Sequence, residues 1–366
     1  MVGRLKRFGY YIMIMKLRII ILSFLLMFQY GSAESQEKIT YAEKLGYPKG
    51  AKVVIFHVDD AGMSYESNQG AILSIQKGVA SSCSIMMTCP WSAEMATYAI
   101  DHPDMDAGLH LVLTSEWKAY RWGPLSGSQQ VPGLVDHEVN LWSSVEEVVN
   151  HATADEVELE IRAQVEKALS IGLKPTHLDS HMGTLFAKDQ FLERYIKVGL
   201  EYNIPVMFPG GNNKLLTASL NQPKIRELKA AGKYREGMAL PQPEILKKSA
   251  EVGTRIWNAG LPVLDDLHTT SGSWKPEGEN ISDKEWGSYK AEKCKELLRE
   301  MEPGLLMVIL HSNEKTETFR HISASGGSRH ADLLAMTDPG LREYIEKEGI
   351  ILTTWRELME RRQQQR

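Results

Sequence analysis

The sequence contains little cysteine. Cys83, Cys89 and Cys294 are the only three among 366 residues. A small, odd number provides no disulfide framework, and no CxxC or Cys/His spacing indicates a structural zinc site. Pairing of Cys83 with Cys89 in an oxidising compartment stays open, but both lie in apolar, strand-like sequence. We therefore expect buried free thiols.

An excess of basic residues is also missing. The formal net charge is −5, which argues against a nucleic-acid-binding protein, because such proteins usually carry a basic surplus. The absence of a GxSxG motif disfavours a Ser-His-Asp nucleophile, and the absence of a GxxxxGK[ST] loop disfavours a phosphate-cradling site. Apolar residues make up 43% and charged residues 24%, as in ordinary globular proteins with a sizeable core.

The N-terminal segment has the pattern of a secretory signal. Lys16 and Arg18 precede an apolar run over residues 19–28, and small residues follow at 31–33. The run is too short for a comfortable membrane span. We expect residues 1–33 to be a signal peptide, residues 34–50 to be a linker, and the protein to be periplasmic or secreted, with no stable membrane span after processing. An uncleaved N-terminal anchor is the alternative.

From residue 51 onward, short apolar runs alternate with helical patterns. The runs that predict buried strands are residues 52–58, 80–88, 106–113, 205–208, 305–310 and 350–354, and the segments that predict helices are residues 67–77, 93–101, 154–171, 191–202 and 341–348. This alternation indicates βα units and a parallel sheet. Residues 115–138 and 210–274 predict long loops above the carboxyl edge of the sheet, where α/β proteins build sites, and the second loop is expected to contain helical pieces. We expect a single α/β domain over residues 51–360.

Two adjacent carboxylates follow the first predicted strand. Asp59 and Asp60 come directly after the apolar run of residues 52–58. Neighbouring like charges disfavour each other's ionisation, and a divalent cation is the usual compensation. One carboxylate can then bind metal while the other acts as a base. An Asp pair that starts a turn before Gly62 is the structural alternative.

Histidines stand at the ends of three further strands. His110 ends one strand and His311 closes another, and His177, Asp179 and His181 would share one face of a third. The carboxyl ends of parallel strands converge on one face, so these residues predict a common site. A satisfied core histidine and a hydrogen-bonded polar turn are the structural alternatives.

These residue types suit metal-assisted hydrolysis. One Asp and two His ligands leave positions open on a metal ion, which can activate water. A free carboxylate can accept the proton of that water, and an imidazole can protonate a leaving amine.

The motifs resemble those of the YdjC-like carbohydrate deacetylases, a family that includes the chitooligosaccharide deacetylases. The resemblance rests on HVDDAGMS at residues 57–64, GLHLVLTSEW at 108–117, KPTHLDSHMG at 174–183 and the strand that ends in His311. It covers residues 52–358. It implies a distorted (β/α) barrel of the polysaccharide-deacetylase type and removal of N-acetyl groups from an amino sugar or short oligosaccharide.

The same resemblance implies a role for each polar residue. Asp60, His110 and His181 look like the ligands of one divalent ion, Mg²⁺ or Zn²⁺. Asp59 matches the catalytic base, and His311 looks like the residue near the leaving group. The remaining two positions would support the ligands from behind, and they are His177 and Asp179.

The expected substrate is an N-acetylated carbohydrate. Trp117, Tyr120 and Trp122 could form a surface on which a sugar stacks, with loop packing as the alternative. After His181 the chain reads Met-Gly-Thr where relatives continue with histidines, so the substrate pocket is expected to differ there. A homodimer is an open expectation.

Two other functions compete with the deacetylase. A glycosidase needs two carboxylates about 5 to 9.5 Å apart, which an adjacent Asp pair supplies poorly. A non-catalytic periplasmic sugar-binding protein on the same fold would not need every polar position, yet all are present.

Overall fold

The computed structural model describes residues 39–235, 237–238 and 240–365. The predicted signal peptide, residues 1–33, lies outside them. The strands are β1 Lys52–Ala61, β2 Ser82–Ile85, β3 Ala107–Leu111, β4 Leu178–Ser180, β5 Asp266–His268, β6 Gly304–Leu310 and β7 Ile351–Leu352. The helices are α1 Tyr41–Lys44, α2 Tyr65–Gln76, α3 Ser92–Asp101, α4 Val145–His151, α5 Ala154–Ser170, α6 Asp189–Tyr202, α7 Lys214–Ala230, α8 Ser249–Asn258, α9 Asp283–Glu300, α10 Gly326–Met336, α11 Pro339–Lys347 and α12 Trp355–Gln364.

The strands form one parallel sheet that curls into a barrel. Their order is β4-β3-β2-β1-β6-β5, and β7 pairs with the first half of β1. Two isolated parallel bridges continue the strand pairing from β4 towards β5, and they join Leu178 to Val206 and Pro209 to Leu264. The predicted distorted (β/α) barrel in a single α/β domain is therefore confirmed, with its closure made by isolated bridges.

Alternation along β1 separates two apolar layers. Val53 and Ile55 belong to a cluster that includes Trp355 of α12, whereas Val54 and Phe56 belong to the larger cluster that includes residues of the surrounding helices. Successive side chains of a strand point to opposite faces, so His57 and Asp59 continue the face of Val53 and Ile55 towards the carboxyl end.

The sequence patterns predicted the ends of most of these elements to within a few residues of their observed positions. Residues 210–274 contain α7 and α8, in agreement with the helical pieces expected there, and also the strand β5, which was not predicted. Helices α9 and α10 were not predicted from the sequence either, although Ser282 and Glu285 form a capping box at the start of α9. The three cysteines are free and buried, as expected. Among the described helices, none has the length and apolarity to cross a membrane.

Residues 34–50 were predicted to be a linker, but from Thr40 onward the chain is part of the folded domain. The backbone N–H groups of Tyr41 and Ala42 donate to the two carboxylate oxygens of Asp265, over 2.8 and 3.0 Å. Leu305 of β6 also donates its N–H to Asp265. Since Tyr41 is only 5% exposed, α1 is part of the folded domain.

We predict that Asp265→Ala lowers the free energy of unfolding by about 3 kcal/mol, because several buried hydrogen bonds to one carboxylate are lost together. Chemical denaturation measures this change. The control is Asp283→Ala, which removes a 41%-exposed carboxylate paired with Lys315 and should cost about 0.5 kcal/mol or less. Equal losses in the two variants would contradict the tethering role of Asp265.

Candidate functional site

The end of β1 is shaped so that both Asp59 and Asp60 reach one site. Consecutive strand residues normally point to opposite faces. Here the pairing of β1 with β2 shifts register between Val58 and Ala61, and Asp60 has φ 64°, in the left-handed region. That conformation is uncommon outside glycine and is often found at functional sites. As a result, Asp59 Oδ2 and Asp60 Oδ1 lie 3.8 and 3.3 Å from the same nitrogen, Nε2 of His110.

Three potential ligand atoms form a tight triangle beside this turn. Asp60 Oδ1 lies 3.3 Å from His110 Nε2 and 3.3 Å from His181 Nδ1, and the two nitrogens are 3.1 Å apart. Tetrahedral ligands bound about 2.0–2.1 Å from zinc lie roughly 3.3 Å from each other. Within the described residues, Asp60 Oδ1 is buried and makes no hydrogen bond. The triangle therefore fits one divalent cation.

Arg329 of α10 compensates the charge of Asp60. Its Nη2 lies 2.7 Å from Asp60 Oδ2, the oxygen that faces away from the triangle. Burial opposes ionisation of Asp60, but the guanidinium of Arg329 and the imidazoles of His110 and His181 outweigh burial and hold the pKa of Asp60 well below its ordinary value. Asp60 is therefore charged and keeps one oxygen available for a cation.

Each histidine of the triangle is oriented by a carboxylate on its other ring nitrogen. His110 Nδ1 lies 2.6 Å from Asp179 Oδ1, and His181 Nε2 lies 3.1 Å from Glu116 Oε1. A carboxylate partner fixes the tautomer and makes the opposite nitrogen a better metal ligand.

The same carboxylates favour the charged form of both rings. Burial lowers the pKa of His110, but Asp59 and Asp179 outweigh it and raise that pKa well above its ordinary value. Burial likewise opposes the charge on His181, but Glu116 and Asp60 raise its pKa to about 9. A bound cation must therefore displace protons, and metal binding is expected to weaken at acidic pH.

His177 lies behind the triangle. A β-carbon at position 108 would lie 2.3 Å from Cε1 of His177, so only Gly108 lets this ring pack there. The ring stacks on Trp355 with centroids 5.2 Å apart, and its Nε2 is 3.6 Å from Asp179 Oδ2. The structure thus brings His177 and Asp179 together beside the triangle.

His311, at the end of β6, faces Asp59 across the site. His311 Nε2 lies 3.9 Å from Asp59 Oδ2, and the side chain is 27% exposed. Its backbone N–H donates to Asp332 of α10. Burial lowers the pKa of His311, and the nearby Arg329 lowers it further against the opposing effect of Asp60. Once protonated, this imidazole would release its proton readily.

Comparison with known proteins identifies the family. The sequence model of the family described as YdjC-like protein matches residues 53–347. A carbohydrate deacetylase from Thermus thermophilus is 34% identical over 320 residues, which cover 87% of this chain and 97% of that protein. The chain belongs to the YdjC-like family. A carbohydrate deacetylase from Brevibacillus brevis is 33% identical over 43% of this chain, and that match spans 59% of the relative's own length.

A solved structure shares the fold of this YdjC-like chain. It is a proposed cellobiose-phosphate cleavage protein from Enterococcus faecalis V583, with a TM-score of 0.63 and 19% identity. The match covers 84% of this chain and 99% of that one. At this identity the likeness supports the barrel alone.

The structure separates the three aromatic residues that were expected to bind sugar. Trp117 lies at the site, with its ring centroid 6.4 Å from that of His181. Trp122 is 4% exposed and its indole N–H donates to Thr114, so it is a core residue and the prediction for it is wrong. Tyr120 is partly buried and donates its hydroxyl to the carbonyl of Met63. Of the three rings, that of Trp117 lies next to the triangle.

Sequence reasoning did not single out His57, Glu116 and Arg329. His57 and Glu116 stand inside the motifs of this YdjC-like chain, and the alternation of β1 could have placed His57 on the face of Asp59. Arg329 lies on a helix that the sequence analysis did not predict, so no sequence signal placed it near Asp60.

We predict that His181→Ala loses most of its bound divalent metal, because one corner of the triangle disappears. Elemental analysis of the purified protein measures it. The control is His330→Ala, since His330 faces the carbonyl of Asn313 outside the triangle. Wild-type metal content in His181→Ala would remove this residue from the ligand set.

Proposed function

We propose that this protein is a metal-dependent carbohydrate deacetylase that hydrolyses the N-acetyl group of an amino sugar or short oligosaccharide. One observation carries the proposal: the triangle of Asp60, His110 and His181 lies directly beside a second carboxylate, Asp59, and a partly exposed imidazole, His311. Relatives along almost the full length of the domain are named carbohydrate deacetylases.

Asp60, His110 and His181 would hold the metal ion. When bound, a divalent ion supplies Lewis acidity, which lowers the pKa of a water molecule and polarises the acyl oxygen. Two imidazoles in the ligand set favour a transition metal such as zinc, whereas Mg²⁺ prefers oxygen ligands. We therefore propose Zn²⁺ over Mg²⁺ as the ion of this site.

Asp59 and His311 provide the proton transfers. Asp59 accepts a proton from the water whose oxygen attacks the acetyl carbon. The proton that Asp59 takes up passes to His311, which lies 3.9 Å away, and His311 donates it to the amide nitrogen, because an amine anion is too poor a leaving group. The C–N bond then breaks, and the products are acetate and a free amino sugar. Trp117 beside His181 offers an apolar face for the sugar ring.

The geometry favours this reaction over the two rivals. Asp59 and Asp60 both approach His110 Nε2, so they do not flank an intervening sugar bond as a glycosidase requires. A sugar-binding protein has no need of a metal triangle with a base and an acid at its edge. The deciding experiment is acetate release from N-acetylglucosamine mono- and oligosaccharides, with and without a chelator. Acetate that appears only without chelator supports the proposal, and no acetate from any N-acetylated sugar would overturn it.

We predict that Asp59→Asn keeps its metal but loses turnover by about a hundredfold or more, the usual loss for a general base. Acetate release and metal analysis on the same preparation measure both properties. Turnover near the wild-type level would exclude the base role.

We predict that His311→Ala slows hydrolysis of the N-acetyl amide far more than hydrolysis of an activated acetyl ester. An ester leaving group of low pKa needs little protonation, whereas an amine needs it. Rates on both substrates, with metal content checked, measure the difference. Equal losses on amide and ester would make His311 a residue that only positions the substrate.

We also propose that the protein acts outside the cytoplasm and that its mature form starts near Glu34. The support is the basic, apolar and small-residue order of residues 16–33. N-terminal sequencing of protein from the native cell envelope tests it, and an intact Met1 in a cytosolic fraction would refute it. Sedimentation analysis can test the expected homodimer.

A further inference from the structure

His57 lies beneath the site, between two of its carboxylates. Its ring is fully buried. Nε2 of His57 lies 3.1 Å from Asp59 Oδ1 and 3.0 Å from Asp179 Oδ2. The first of these carboxylates would accept the proton of water, and the second orients His110. One imidazole therefore contacts both the reacting base and the support of a metal ligand.

We propose that His57 is a positioning residue whose ring, as a cation, fixes the carboxylates of Asp59 and Asp179. The inference rests on the proposed function for the role of Asp59 as base. It does not depend on the role of His311 or on the identity of the sugar.

The hydrogen bonds of the ring support a cation. Nδ1 of His57 lies 3.0 Å from Ser82 Oγ, and Nε2 lies 3.1 Å from Ser84 Oγ. A hydroxyl oxygen can accept a hydrogen bond, so both ring nitrogens can carry protons. A buried charge is tolerated only when it is paired, and here two carboxylates approach the ring.

The charges around His57 also favour the protonated form of its ring. Burial lowers the pKa of His57, but the close carboxylates of Asp179 and Asp59 outweigh burial and raise the pKa to about 9. The neighbouring His177 differs, because burial lowers its pKa and the charge of His57 lowers it further. The pair therefore consists of a charged ring at position 57 and a neutral ring at position 177, in edge-to-face contact with centroids 5.0 Å apart.

A second metal ion is the competing explanation. Nitrogens of His57 and His177 and an oxygen of Asp179 all lie within 4.8 Å of one another. A ring nitrogen, however, has one in-plane direction for a proton or a metal. At His57 Nε2 a hydrogen bond to Ser84 Oγ occupies that direction. The hydrogen bond to Ser84 therefore leaves no in-plane position on Nε2 for a metal ion.

The experiment compares His57→Gln with a control, His330→Gln. Glutamine can place an amide N–H near the position of Nε2 but carries no charge. His330 faces the carbonyl of Asn313, outside the triangle and the carboxylates that support it. We measure kcat and KM for acetate release from N-acetylglucosamine oligosaccharides, together with bound metal and Tm.

We expect His57→Gln to lower kcat by about tenfold to a hundredfold, with KM within about threefold and wild-type metal content, because a displaced base costs turnover more than binding. His330→Gln should keep kcat within about fivefold. In the double variant with Asp59→Asn, the loss should equal that of Asp59→Asn alone, since His57 acts through Asp59. Wild-type kcat in His57→Gln, or a loss that adds fully to that of Asp59→Asn, would overturn the proposal. If His57→Gln does not fold, His57→Asn takes its place.

A second readout does not depend on activity. Nitrogen-15 NMR of histidine-labelled, metal-loaded protein reports whether each ring nitrogen carries a proton, and the His57 signal is the one lost in His57→Gln. Two protonated nitrogens at pH 7 support the proposal. A neutral ring, or a second equivalent of bound metal that disappears in His57→Gln, would overturn it. If wild-type protein releases no acetate, the proposed function fails, and the NMR result still decides the state of His57.

Discussion

Buried negative charge at one end of the barrel is the constraint on which the site depends. Asp59, Asp60 and Asp179 are at most 6% exposed, and Glu116 approaches them through His181. Buried carboxylates need compensation by cations or hydrogen bonds. Arg329 pairs with Asp60, and we propose that a protonated His57 pairs with Asp59 and Asp179. Protons on His110 and His181, or a divalent ion that replaces them, would supply the remaining positive charge, so protonation and cation binding compete at the triangle.

The backbone meets this constraint through a few local irregularities. The register shift at the end of β1 and the left-handed conformation of Asp60 bring two adjacent carboxylates to one nitrogen. Gly108 makes room for the ring of His177. Helix α10 then acts on two strands at once, because Arg329 pairs with Asp60 of β1 while Asp332 accepts the backbone N–H of His311 after β6. Asp332 is itself paired with the buried Lys290 of α9, which ties the outer helices to the geometry of the reacting groups.

The sequence predicted the parts of the site that depend on local pattern. Strands β1, β3 and β6 are apolar runs that end in polar residues, so the convergence of Asp60, His110 and His311 followed from parallel topology. Two kinds of feature could not be predicted. Arg329, the partner of Asp60, lies on a helix that is far from Asp60 in the sequence. Local periodicity in the sequence carries no information about such a long-range pair. Strand β5 has three residues, too few for a periodic pattern, and Trp122 faces the core of a loop whose fold depends on contacts with α5 through Glu160.

We propose that the triangle of Asp60, His110 and His181 holds a divalent cation. The buried group of His57, His177 and Asp179 beneath it does not. An anomalous difference map from crystals grown with Zn²⁺ tests this claim most directly. The account predicts one strong peak in contact with Asp60 Oδ1, His110 Nε2 and His181 Nδ1. A peak between His57, His177 and Asp179, or an empty triangle in fully loaded crystals, would contradict it.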